Sequence, residues 1–168
     1  MFSRTLLLTS LIALSSLTAC APNTLRARVG GQDIIKAFTV SPAKPQIKLN
    51  EYVKFSFTLE KPGFVTLFTT DPDRTTYELD RNIKALAGKF ELPSKSDSDA
   101  SGGKAAYQIS EPLGKQLVYL AFTEKPIPNE IKFKGVLDEA ALEKRIREAL
   151  EKSGGAKDVA NLEFEVIK

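Results

Sequence analysis

Residues 51–73 read EYVKFSFTLEKPGFVTLFTTDPD. In the first part Val53, Phe55, Phe57 and Leu59 alternate with Lys54, Ser56, Thr58 and Glu60. A period of two puts the apolar side chains on one face of a half-buried strand. Lys61-Pro62-Gly63-Phe64 then interrupts it. Pro62 presets φ at the second position of a β-turn, and Gly63 suits the positive φ that the third position of a type II turn needs. The spacing predicts a hairpin over Glu51–Thr70, with residues 64–70 returning beside the first strand. In that return Phe64 and Phe68 share one face, Val65 and Leu67 the other. A strand apolar on both faces belongs inside a sheet with a layer on each side. Asp71-Pro72-Asp73-Arg74 closes the stretch as a turn.

The flanking sequence carries the same short-strand rhythm. Asp33–Val40 reads as a first strand, broken by Ser41-Pro42-Ala43-Lys44-Pro45, because neither proline can donate to a ladder. Gln46–Leu49 is a second, short strand. Beyond the turn, Thr75–Leu79 reads as the third strand of a meander and Asp80-Arg81-Asn82 as its turn. Asn82–Gly88 reads as loop or a helical turn, Lys89–Leu92 as short extended chain, and Ser94–Lys104 as a polar loop. Ala105–Ser110 and Leu117–Glu124 are expected to pair, the latter apolar on both faces. Asp138–Ser153 switches to helical period, with Leu142, Ile146, Ala149 and Leu150 on one stripe. Asp138 is its expected N-cap, Leu137 and Leu142 its hydrophobic staple, and Gly154-Gly155 its left-handed stop. Asn161–Lys168 ends the chain as a strand. The whole predicts a mainly β fold: an Ig-like antiparallel β-sandwich with one C-terminal α-helix followed by a final strand, forming a single domain over residues 33–168. Phe55, Phe57, Leu67, Leu120 and Phe122 are its expected core.

Residues 1–19 stand apart. Arg4 is followed by Leu6, Leu7, Leu8, Leu11, Ile12, Ala13 and Leu14, an apolar run too short to span a bilayer. It ends in Leu17-Thr18-Ala19-Cys20, which resembles the lipobox of bacterial lipoprotein signal peptides. That resemblance implies diacylglycerol transfer to the Cys20 thiol, cleavage before it, and acylation of the new amino group. Several acyl chains hold stably where one binds only marginally. The membrane, reached through acyl chains on Cys20, is thus the first expected partner. Position 21 is Ala where Asp would direct retention, so the resemblance points to the outer membrane. Ala21–Gln32, polar and carrying Gly30-Gly31, completes with Cys20 an expected lipidated flexible tether over residues 20–32. Cys20 is the only cysteine, so no disulfide framework is available.

Three further segments carry a second resemblance. Lys61-Pro62-Gly63-Phe64 with Leu67 and Asp71-Pro72-Asp73, then Asn82-Ile83 with Ala87-Gly88 and Leu92-Pro93, then Glu111-Pro112-Leu113-Gly114-Lys115 with Leu117, are similar in order and spacing to the bacterial family called domain of unknown function 4384. The chain departs from that pattern at Arg74, where glycine is usual, and at Leu79-Asp80-Arg81-Asn82. The resemblance implies a compact β-rich, Ig-like envelope module and no agreed activity.

The chain has 24 basic and 21 acidic residues, a net charge of +3, and no histidine or tryptophan. Its charges are interspersed, which argues against nucleic-acid binding. Without histidine, Ser-His-Asp and Cys-His catalysis and imidazole metal sites are excluded. Asp71 and Asp73, two apart in a turn, are the best candidates for a hard cation such as calcium, but the run lacks the further oxygens and glycine of a calcium loop. Their plainer reading is an Asx turn in which the first aspartate accepts backbone N–H bonds. Arg81, with Asn82, is a candidate contact residue whose plainer role is to tie a neighbouring loop. Asp97 and Asp99 read as solubilising charges. No catalytic residue, metal site or cofactor is expected. The expected function is that of a lipid-anchored, non-catalytic cell-envelope module that binds or organises another envelope component through Asp71, Asp73 and Arg81. The alternatives are an envelope hydrolase or metal-dependent enzyme, or a sandwich acting as a protease inhibitor.

Overall fold

The computed structural model describes residues 24–94 and 105–168. Cys20 and the two aspartates at 97 and 99 lie outside them. In chain order the elements are α1 (Thr24–Val29), β1 (Ile35–Ser41), β2 (Gln46–Lys48), β3 (Tyr52–Leu59), β4 (Gly63–Thr70), β5 (Thr75–Ala85), β6 (Gly88–Leu92), β7 (Tyr107–Gln108), β8 (Gly114–Thr123), β9 (Gly135–Val136), α2 (Glu139–Ser153) and β10 (Lys157–Ile167). Two sheets face each other. The first runs β1-β3-β6, with β7 also pairing with β3. The second has six strands in the order β2-β10-β8-β4-β5-β9, and β2 joins β10 in parallel. The fold is therefore the mainly β sandwich read from the sequence, with its helix near the C-terminus and a final strand.

The space between the sheets is filled by the alternating side chains. Phe55 and Phe57 from β3 meet Leu67 from β4 and Leu120 and Phe122 from β8, each 2% exposed or less. The opposite face of the second sheet is covered as well. Phe68, Tyr119, Ala121 and Val159 lie under Leu142, Ile146, Ala149 and Leu150 of α2 and under Ile127, Ile131 and Phe133 of the preceding segment. Phe68 and Phe133 stack with centroids 4.0 Å apart. The two-faced pattern of β4 and β8 thus reflects a three-layer arrangement, sheet on sheet with a helical layer outside.

The Glu51–Thr70 hairpin is not formed. β3 pairs with β1, β6 and β7, whereas β4 pairs with β5 and β8. Lys61-Pro62-Gly63 is a corner that carries the chain from one sheet to the other. Gly63 does not take a positive φ there. It already pairs with Ala85, and a Cβ on it would lie 2.6 Å from the Phe122 ring and 2.7 Å from the Thr123 carbonyl oxygen. Glycine is needed for close approach over Phe122, not for a turn conformation.

Other boundaries move for similar reasons. β5 continues through Asp80-Arg81-Asn82 to Ala85, so neither the turn nor the helical turn exists. Its register against β4 shifts twice, and Asn82 has φ 51°. Such bulges let a strand continue while re-aiming its side chains. β7 pairs with β3 and not with β8. Asp138 caps α2 by accepting from the Ala141 N–H at 2.8 Å, and Gly154 ends it with φ 61°. Glu143–Arg147 and Glu148–Lys152 are paired at 2.8 and 3.0 Å. Residues 24–32 are not a free tether. Leu25 and Val29 of α1 are buried in the outer layer, and Gln32 N–H donates to the Lys157 carbonyl. The amphipathic spacing of Leu25 and Val29 is one helical turn, short enough to be masked by the polar residues around it.

Candidate functional site

A groove of about 820 Å³ runs along the outer face of the second sheet, between α1, α2 and the turn joining β4 to β5. Its floor is apolar: Leu117 and Tyr119 from β8, Leu25 from α1, Leu142 and Ile146 from α2. Its rim is charged. Arg28 bridges the helices, to Glu139 at 3.0 Å and Glu143 at 2.8 Å. Lys115 pairs with Glu163 at 2.8 Å on the opposite rim. Burial, reinforced by the charge of Glu139, pushes the Tyr119 phenol up to about 12. It stays a neutral hydroxyl at any physiological pH.

The turn itself holds Asp71 and Asp73, with different roles. Asp71 is buried. Its backbone N–H donates to the Thr75 carbonyl at 2.9 Å, and its carbonyl accepts from Arg74 N–H at 2.9 Å. Its carboxylate accepts from the Tyr77 hydroxyl at 3.1 Å. Burial raises the Asp71 pKa, against the opposing effect of hydrogen bonds from Tyr77 and Gln116. The Tyr77 phenol is pushed to about 12 by burial and by the Asp71 charge. Asp73, not Asp71, makes the Asx turn: its Oδ1 accepts from Thr75 N–H at 2.9 Å, which lowers its pKa. The two carboxylates are thus engaged separately within the turn. Among the described residues no three His, Cys, Asp or Glu side chains cluster where they could hold a metal ion.

Arg74 sits at the groove rim with φ +70°. The backbone there takes a conformation that glycine adopts freely. A left-handed conformation costs a side-chain-bearing residue about 1–2 kcal/mol. The Arg74 carbonyl accepts from Leu137 N–H at 3.0 Å, tying the turn to the segment that leads into α2.

Arg81 is far less available than a contact residue would be. Its guanidinium donates to the carbonyls of Pro128 and Ile131, both at 2.8 Å, and to Glu78 at 2.5 Å. Asn82 exchanges two hydrogen bonds with the Ile127 backbone, at 3.0 and 2.8 Å. Glu78 in turn accepts from Phe133 N–H at 2.9 Å. These three side chains fasten the 127–133 segment over the second sheet. The structure therefore brings Asp71 and Asp73 together in one turn beside the groove and places Arg81 in a separate structural clamp.

Asp158 escaped the sequence reading. It is completely buried, and its carboxylate accepts from Arg26 Nε at 2.7 Å, from Ile35 N–H at 2.7 Å and from Val159 N–H at 2.8 Å. Arg26 and Ile35 lie more than a hundred residues away in the chain, so no local pattern marks it. No family model matches the chain, and neither does any curated protein or solved structure.

Proposed function

We propose that the protein is a bacterial lipoprotein whose folded domain acts at the cell envelope by binding another envelope component, without turning over a substrate. The observation that carries this reading is the Leu17-Thr18-Ala19-Cys20 lipobox standing a few residues ahead of a folded domain. The resemblance to the domain of unknown function 4384 family supports it, as does the absence of histidine from the whole chain. Ala21 in place of aspartate favours the outer membrane. The contact surface we assign is the groove with the β4–β5 turn at its rim. There Asp73 and Arg74 are exposed, and an apolar floor is framed by charge, the mixture that protein interfaces use.

The test has two parts. Mass spectrometry of the native protein is expected to find acyl chains on an N-terminal Cys20; an intact Met1 or a free thiol refutes the anchor. Pull-down from detergent-solubilised envelopes is expected to recover a protein partner. The double variant Arg74→Gly, Lys115→Ala is expected to lose that partner while its unfolding transition stays in place, since glycine fits φ +70°. Turnover of an envelope substrate by the purified domain refutes the non-catalytic reading.

A further inference from the structure

We propose that the end of the sandwich carrying the β3–β4 corner is a docking surface for anionic phospholipid, with Leu86 at its apex. Lysines that lie far apart in the chain meet there. Gly63 pairs with Ala85, and Phe64 with both Lys84 and Thr123, so the start of β4 and the ends of β5 and β8 share one edge. Lys61 lies just before Gly63, and Lys125 just after Thr123. In the first sheet Leu59 pairs with Gly88 and Thr58 with Lys89, which brings the start of β6 to the same end. Lys61, Lys84, Lys89 and Lys125 are all exposed, and among the described residues none of them forms an ion pair. The nearby carboxylates are already engaged. Asp33 and Glu60 face Lys36 at 2.5 and 3.6 Å, and Glu124 accepts from Ala156 N–H at 2.8 Å.

The turn from Ala85 to Gly88 crosses from the second sheet to the first, and Leu86 within it is 71% exposed. One exposed leucine is ordinary on a protein surface. What marks this one is its setting. Ile83 and Ala85 pack into the inter-sheet core, so Lys84 between them faces outward from the second sheet. Phe90 packs into the same core, so Lys89 faces outward from the first. The leucine therefore protrudes between two ammonium groups. An apolar tip flanked by flexible cations suits a layer of phosphates over hydrocarbon, where the leucine enters and the ammonium groups stay at the headgroups. Lysine is a point charge on a flexible stem with no fixed fork, which matches a fluid anionic surface better than a shaped protein pocket. The surface stands on these residues alone; the lipid-anchor reading adds only that a bilayer is at hand. β4 has eight residues, about 27 Å at the usual rise, and runs from this end to the β4–β5 turn. Docking here leaves that turn pointing away from the lipid, open to the envelope partner.

Residues 20–168 carrying Cys20→Ser hold every described residue and no acyl chain, so their binding reports this surface alone. They are expected to cosediment with phosphatidylcholine–phosphatidylglycerol vesicles and not with phosphatidylcholine vesicles. Release is expected at about 1 M salt, where the screening length falls to about 3 Å. Lys61→Ala, Lys84→Ala, Lys89→Ala and Lys125→Ala combined are expected to weaken binding about tenfold or more, and the same four changed to Arg to keep it. Leu86→Ser is expected to weaken it about threefold. All three variants are expected to keep the unfolding transition in place. Lys132→Ala, Lys134→Ala and Val136→Ser combined remove lysines and an exposed apolar side chain elsewhere, and are expected to bind as the parent does. Vesicle binding that survives the four alanines, or that the control variant loses as fully, overturns the proposal. So does release by inorganic phosphate at matched ionic strength, which marks a discrete anion site. Loss of a protein partner with vesicle binding intact in the four-alanine variant assigns the surface to protein and overturns it too. An unacylated Cys20 in the native protein overturns the anchor reading and leaves this surface standing; failure to bind the anionic vesicles does the reverse.

Discussion

Asp71 shows how one residue can resemble a ligand and serve a turn. Its pKa is raised by burial above the ordinary 3.8. Between that value and the raised one the folded state binds more protons than the unfolded state. Stability therefore falls as pH rises through this window, and the charged carboxylate is a net burden at neutral pH. Asp71→Asn keeps an acceptor for Tyr77 and removes the charge. It is expected to equal or exceed the wild type in urea unfolding at pH 7, with the gap closing below pH 3.8; lower stability at pH 7 refutes the account. Arg81 is the opposite case. Arg81→Ala removes the charge-assisted bonds to Glu78 and to the Ile127, Pro128 and Ile131 carbonyls and leaves Glu78 half-buried without its cation. Unfolding titrations are expected to show a loss of about 2–3 kcal/mol. Arg81→Lys is expected to recover little, because an ammonium cannot reproduce the planar fork that spans backbone carbonyls and a carboxylate.

At the scale of elements, the corner between β3 and β4 is the decisive feature. Local sequence is equally compatible with a hairpin and with a passage between sheets, since both need an alternating strand, a break and a second strand. What separates them is the side of the core on which each strand finds its partners. Val65 and Leu67 of β4 face Phe55 and Phe57 of β3 across the sandwich, so the two strands oppose each other face to face. Gly63→Ala is expected to destabilise the domain by about 1–3 kcal/mol through contact with Phe122, although alanine is a better strand former than glycine. A hairpin with a positive-φ glycine would show strain; this corner shows crowding, and Gly63→Ala combined with Phe122→Leu is expected to recover part of the loss in thermal melts. The same element scale explains β5. Its bulges turn Arg81 and Asn82 outward to the 127–133 segment, a job that a polar Asp-Arg-Asn run resembles a turn in performing.

For the whole molecule, the second sheet lines two apolar compartments. Val65, Leu67, Leu120 and Phe122 face the first sheet, while Phe68, Tyr119 and Ala121 face the helical layer. Because the same strands wall both, disruption of the second sheet opens both compartments at once. Phe57→Ala, in the inter-sheet core, and Ile146→Ala, in the helical layer, are each expected to cost about 2–5 kcal/mol. Both are expected to shift one cooperative transition seen alike by circular dichroism and tyrosine fluorescence; separate transitions would mean that the layers fold independently. Asp158 and Arg26 join α1 to β10 at the edge of this arrangement, which is why α1 behaves as part of the domain.

The residues by themselves determined what depends on near neighbours. The period of two located β3, β4, β8 and the end of β10; the period of 3.6 located α2, its cap and its buried stripe. Composition removed histidine chemistry, and the two-faced strands announced that the sheet they belong to has layers on both sides. Tertiary structure alone decided the pairing of β3 and β4, the path of β5 through Arg81, the docking of α1 and the burial of Asp158. Each of these depends on contacts between residues distant in the chain: Phe122 beneath Gly63, Ile131 beside Arg81, Asp158 beside Arg26. A local pattern states that a side chain is apolar or charged and which way its strand alternates. Which surface it meets is set by how the closed core places the rest of the chain, and that is a property of the packed molecule.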